Sequence, residues 1–213
     1  MTITAQEALD RLREGNQRFV ASLQSDDPLP ARRFELSQAQ EPIAIILGCS
    51  DSRVPAEIVF DQGLGDLFVI RVAGNVVAPS QVGSVEFAAS RFGTRLVVVL
   101  GHSRCGAILA TIEELQRPAE NQSRNLAAIV DRVRPSVEGL MKTELRHDLD
   151  ALVHQAVRSN VGVSVDHLRH GSPILEQLIQ DEGLLVVGAE YSLETGEVEF
   201  FDLGSGRGCC HHP

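Results

Sequence analysis

The sequence predicts a single α/β domain: a central, mostly parallel β-sheet flanked by helices and preceded by an N-terminal helical arm. Two observations predict it. Apolar runs of strand length, Ile43 to Gly48 and Leu96 to Gly101, alternate with stretches of helical periodicity, and strand–helix–strand–helix order is the mark of a parallel sheet. The 213 residues, 43% hydrophobic and 23% charged, suffice for one buried core and are short for two. The expected division is an arm over 1–40, a core over 41–205 and a flexible tail over 206–213.

The arm reads as an amphipathic helix. Thr4 and Glu7 have capping-box spacing, and Ala8, Leu9, Leu12, Phe19 and Val20 recur at roughly helical intervals. Residues 25–30 read as a loop by composition. Ile43 to Gly48 is apolar throughout, as a strand buried on both faces should be. A second strand is expected over Asp66 to Val72, a helix over Ser84 to Phe92, a third strand over Thr94 to Gly101, and a helix from Cys105 to Leu115. From Asn121 to about His170 the pattern is largely helical, with Pro135 and Gly162 expected to break or bend it. Ser172 before Pro173 marks a further helix start. Leu184 to Tyr191 and Glu197 to Asp202 read as a hairpin around Glu194-Thr195-Gly196.

The net charge of −10 leaves no basic excess to displace counterions from a nucleic acid, so none is expected as a partner. No apolar run approaches membrane-spanning length. The N-terminal residues lack a basic region followed by an apolar stretch, which predicts a cytoplasmic protein with its four cysteines reduced.

Two short motifs fall directly after predicted strands, where parallel sheets bind their ligands. One is Cys49-Ser50-Asp51-Ser52-Arg53 and the other His102-Ser103-Arg104-Cys105-Gly106. Together they offer two thiolates, an imidazole and a carboxylate. Two thiolates disfavour magnesium and calcium, and the mixed set suits zinc, bound at ~2.0–2.3 Å. Neighbouring strands lie ~5 Å apart, so two strand ends could converge on one ion. Asp51 as a fourth ligand would close the site. Drawn onto Arg53 by a bidentate ion pair, it would leave a position where zinc lowers the pKa of water towards ~7. Taken singly, Cys49 reads equally as a buried structural cysteine, while a core histidine is favoured for His102 and an ordinary surface pair for Asp51–Arg53; their joint placement favours the metal.

At these residues the chain resembles the beta-class carbonic anhydrases. The likeness rests on Cys-Ser-Asp-Ser-Arg at 49–53, Val54-Pro55-Ala56-Glu57, Phe68-Val69-Ile70-Arg71-Val72-Ala73-Gly74-Asn75, Gly83-Ser84-Val85-Glu86-Phe87, and His-Ser-Arg-Cys-Gly at 102–106. It runs from about residue 40 to 110 and more loosely to the end. The resemblance implies reversible hydration of carbon dioxide to bicarbonate and a proton, one zinc per subunit, and a homodimer often doubled to a tetramer. Cys49, His102 and Cys105 match permanent ligands, and Asp51 and Arg53 match the gating dyad, Asp51 being also the fourth possible ligand. Gln40 matches a glutamine that hydrogen-bonds substrate in a plant-like subgroup. Phe68, Ala73, Phe87 and Gly106 match positions lining the small apolar pocket, Phe87 from the neighbouring subunit. A second subgroup carries a regulatory bicarbonate site built on a tryptophan, an arginine and a tyrosine. Here Ile46 holds the tryptophan position, while Arg71 and Tyr191 hold the others, which favours the non-allosteric subgroup.

Rival readings are hydrolysis of carbonyl sulfide or carbon disulfide at the same metal, and a non-catalytic zinc module. A thiol-redox role is weaker, because Cys49 and Cys105 are not a Cys-x-x-Cys pair. The Cys209-Cys210-His211-His212 tail reads as a terminus with adventitious metal affinity. His147, His154, His167 and His170 read as surface residues.

Overall fold

The computed structural model describes residues 3–21, 37, 39–116 and 123–201. The expected loop at 25–30 and the tail over 206–213 lie outside the described residues. Five strands form one sheet: β1 (Ala44–Gly48), β2 (Leu67–Arg71), β3 (Leu96–His102), β4 (Leu185–Tyr191) and β5 (Val198–Phe201). Their order is β2-β1-β3-β4-β5. The first four are parallel, and β5 returns antiparallel to β4 through the expected turn.

Each face of the sheet has its own core. Ile46, Val98, Leu100 and Tyr191 lie on one face beneath α1 (Ala5–Val20) and α2 (Ala56–Val59). Ile45, Leu47, Val97 and Val99 lie on the other, beneath α3 (Pro79–Arg91), α6 (Leu149–His170) and α7 (Pro173–Asp181). Alternation of side chains along a strand thus sorts two uninterrupted apolar runs into two cores. Between α4 (Gly106–Gln116), α5 (Arg124–Val137) and α6 a third apolar cluster includes Cys49 and Cys105.

Helix α1 starts where Thr4 and Glu7 cap it reciprocally. Ala8, Leu9 and Leu12 are buried as the periodicity predicts, but Val20 is 41% exposed, beyond the contact with the sheet. At Gly15 the helix meets the backbone so closely that a Cβ would lie 1.8 Å from the Phe60 carbonyl oxygen. Asn16 then fills the gap with its amide. It donates to the carbonyls of Val59 (3.0 Å) and Gly196 (2.9 Å) and accepts from the Val198 N–H (2.9 Å).

Helix α3 begins at Pro79, five residues earlier than the apolar stripe indicates. Its opening turn is set by proline at the first helical position rather than by a side-chain cap. Gly162 does not break the chain: α6 runs unbroken from Leu149 to His170. Glycine costs a helix interior only about 1 kcal/mol, and Val157, Val161, Val165 and Leu168 are buried around it. Helix α5 ends two residues beyond Pro135, and α6 starts at an Asp148 cap. Ser172 caps α7 as expected, accepting from the Leu175 N–H at 3.2 Å. No helix among the described residues is long and apolar enough to cross a membrane.

Chain direction places the site. After β1 the chain turns outward to β2, whereas after β3 it continues to β4 on the opposite side. The connections leaving β1 and β3 therefore diverge, which opens a crevice at their carboxyl ends. Cys49 follows β1 and His102 ends β3, one on each bank.

Candidate metal centre

The Cys49 turn is held by β2. Arg71, the last residue of that strand, donates to the Cys49 carbonyl (3.0 Å) and to the Asp51 carbonyl (2.5 Å). The Val72 N–H bonds the Gly48 carbonyl at 3.1 Å. Gly74 then takes φ 68°, a left-handed conformation natural to glycine, and aims its N–H at the Cys49 sulfur, 3.4 Å away. Arg71, one of the residues considered for a regulatory site, is thus engaged in shaping this turn. Tyr191 is buried and packs near the Phe19 ring, 6.4 Å between centroids.

The second turn hangs from β4, since the Ser103 N–H bonds the Tyr191 carbonyl at 2.9 Å. His102 is fully buried. Its Nδ1 lies 2.9 Å from the Ser103 carbonyl, which can only accept, so Nδ1 carries the proton. Nε2, on the other side of the ring, is a buried nitrogen without a hydrogen-bond partner. Such an orphan is costly unless something absent from the protein itself occupies that side.

The Cys49 and Cys105 sulfurs and a ring nitrogen of His102 all lie within 4.8 Å of one another. That is about the span of one ion bound at ~2.0–2.3 Å. The neighbouring Cys105 thiol, with His102 and the Gly74 N–H, pulls the Cys49 pKa down against the effect of burial. The same contact, with burial, pushes Cys105 up. Binding a cation at two neighbouring cysteines requires their deprotonation, and the lowered Cys49 favours it. Two sulfurs, an orphaned imidazole nitrogen and burial fit a zinc-type ion, and do not fit magnesium or calcium.

Asp51 stands beside this trio rather than in it. Arg53 grips it through Nε to Oδ1 (2.9 Å), Nη2 to Oδ2 (2.7 Å) and its own backbone N–H to Oδ1 (3.0 Å). Oδ2 lies 3.9 Å from His102 Nε2. The guanidinium holds the carboxyl well below the usual carboxylate range. A depressed pKa of this sign keeps the pair intact above about pH 4, and it is lost only as pH falls further.

The remaining expected residues divide by position. Ala73 is exposed beside Gly74, and Gly106 opens α4 with space where a Cβ would be. Phe68 packs with Phe87 and Phe92 at centroid distances of 6.2 and 6.0 Å. Phe68 pairs with Ile45 near the start of β1, while Phe87 on α3 is 54% exposed. Gln40 is exposed before β1, at the end of the strand opposite Cys49. Within one chain it does not come to the centre. A cavity of about 610 Å³ between α3, α5 and α6, lined by Val76, Pro79, Arg132 and Val163, contains none of these residues.

Three contributors have roles at these turns that the sequence reading did not assign. Arg71 and the Gly74 N–H shape the first turn, and Glu194, in the β4–β5 turn, reaches the second. Its carboxylate accepts from Ser103 Oγ at 2.7 Å and pairs with Arg104 Nε at 2.7 Å. Arg104 has φ 54°, a left-handed conformation costing a non-glycine residue about 1–2 kcal/mol.

Fold and donor set together define an α/β enzyme scaffold with a candidate metal site at a sheet switch point. The family model for carbonic anhydrase matches residues 44–198. The carbonic anhydrase of Mycolicibacterium smegmatis is 41% identical over 190 residues, covering 88% of this chain and 89% of that protein. Carbonic anhydrase 2 of Mycobacterium tuberculosis is 39% identical over 195 residues, 90% of each. The crystal structure of the beta-carbonic anhydrase CafA of Aspergillus fumigatus superposes with a TM-score of 0.74 at 25% identity, covering 93% of this chain and 91% of that one. The chain belongs to the beta-carbonic anhydrase family, and its activity is that of a carbonic anhydrase.

Proposed function

We propose that the chain interconverts carbon dioxide and bicarbonate at one zinc ion per subunit, held by Cys49, His102 and Cys105, with Asp51 and Arg53 as gate and orienting dyad. The observation that carries this reading is the bidentate capture of Asp51 by Arg53 beside three converging donors. A carboxylate so held leaves the fourth side of the trio to water. Bound zinc supplies Lewis acidity, bringing the pKa of a water from ~15.7 towards ~7.

The chain's own groups do the rest. Asp51 Oδ2, 3.9 Å from His102 Nε2, accepts a hydrogen bond from the attacking water and directs its lone pair. Arg53 keeps Asp51 ionised and off the metal. The His102 Nδ1–H bond to the Ser103 carbonyl fixes the imidazole with Nε2 inward. Carbon dioxide, small and apolar, is met by Ala73, Phe68 and Phe87, and the Gly106 N–H and the Gln40 amide stabilise the developing oxygen charge. Exposed Phe87, and Gln40 at the far end of β1, favour a second copy as the source of both. The working form is then a homodimer or homotetramer, acting in the cytoplasm and, by Ile46, of the non-allosteric subgroup.

Stopped-flow hydration on the zinc-loaded protein from about pH 6.5 to about 9, around the ~7 expected for the activated water, tests this. Asp51→Ala should lose at least about 10²-fold, the usual worth of a positioned proton acceptor. An Asp51→Ala rate equal to the parent's would sink the dyad, and activity only at high pH would place Asp51 on the metal at rest. No hydration at any pH with zinc bound would reject the assignment.

A further inference from the structure

The two residues between His102 and Cys105 are both gripped by one distant carboxylate. Glu194 Oε2 accepts from Ser103 Oγ at 2.7 Å, and Oε1 pairs with Arg104 Nε at 2.7 Å. Glu194 lies 91 residues along the chain from Ser103. The hydroxyl it holds also accepts from the Leu193 N–H at 3.0 Å, so the β4–β5 turn contacts the ligand turn through backbone and side chain alike. The β4–β5 turn is itself anchored from behind by Asn16, which bonds the Gly196 carbonyl and the Val198 N–H.

Nothing in carbon dioxide chemistry requires an acid at this distance, and a lone exposed ion pair contributes little. Arg104, however, sits at φ 54°, and this bend lets His102 and Cys105 face the same point. A non-glycine residue leaves that conformation unless its surroundings hold it. We infer that Glu194 is a positioning residue for the metal centre: by clamping Ser103 and Arg104 it holds the strained turn that presents His102 and Cys105 to one ion. The inference rests on the ligand assignment above. It extends that assignment to a residue in the β4–β5 turn that does not touch the metal.

If the clamp works through the turn's conformation, glycine at 104 should make it dispensable, because glycine adopts a positive φ freely. Zinc affinity, measured by competition with a chromophoric chelator, is compared in the parent, E194A, R104G, the E194A/R104G double variant and C49S. E194A is expected to bind zinc about 10-fold more weakly, as losing a group that orients a ligand does. The double variant should return to within about twofold of R104G, the scatter of independent sites. Parent-like affinity in E194A overturns the inference. So does a double variant as weak as E194A, since the loss would then not run through the turn. If E194A does not fold, E194Q, which keeps the side-chain volume, carries the same comparison with R104G. Zinc retained by C49S at parent affinity would overturn the ligand assignment and this inference with it. Zinc lost by C49S but unchanged in E194A would overturn this inference alone.

Discussion

Serine in place of Cys49 is expected to abolish stoichiometric zinc binding and to cut carbon dioxide hydration by on the order of 10³-fold or more. The Gly74 N–H and the Cys105 thiol both bear on the Cys49 sulfur. The same contacts pull its pKa down from the ordinary thiol value, which favours the thiolate form that binds metal. A serine hydroxyl is harder, stays protonated and reaches less far, leaving only His102 and Cys105. His102→Ala should do the same by removing the buried Nε2. Metal analysis of the purified variants gives stoichiometry, and stopped-flow gives the rate. A C49S protein holding one zinc per chain with parent activity would mean that the donors lie elsewhere. Circular dichroism should change little in either variant, because neither side chain belongs to the apolar cores on the two faces of the sheet.

Alanine in place of Gly15 should cost about 3 kcal/mol of stability, at the top of the usual overpacking range. The obstacle is a backbone oxygen: the new Cβ would lie 1.8 Å from the Phe60 carbonyl oxygen and 2.8 Å from its carbon. No side-chain rotation relieves that. Helix α1 must tilt or lift, which disturbs the burial of Leu9 and Leu12 and the three hydrogen bonds of Asn16. For a chain of this size the midpoint of thermal unfolding should fall by roughly 10 °C, read by calorimetry on the metal-free protein. An unchanged midpoint would show that α1 does not dock as described.

The features legible in the sequence are those written in neighbouring residues. The Thr4–Glu7 capping box, the Ser172–Pro173 helix start and the β4–β5 turn each occupy a few consecutive positions, and the structure has all three. Cys49-x-Asp51 and His102-x-x-Cys105 could be paired because each follows an apolar run that must be a strand. Other features depend on what surrounds the chain. Gly162 signals a break only if no apolar neighbours hold the helix together, and here they do. Helix α3 begins before its apolar stripe because its first turn faces outward. Arg71 and Glu194 shape the ligand turns from remote positions, and contacts across the sheet leave no periodic trace. The place of Gln40 was equally hidden, since its separation from Cys49 along the chain says nothing of which end of the strand it occupies.

The divergence of the chain after β1 and β3 also bears on the order of assembly. The two banks of the crevice meet only once β2, α3 and β3 have been laid down in sequence and the parallel pairings closed, which are slow, non-local steps. A zinc finger's metal gathers an unfolded chain around itself. Here the three donors stand on banks that the sheet itself builds, so an ion bound there would find the polypeptide as its template rather than as its product.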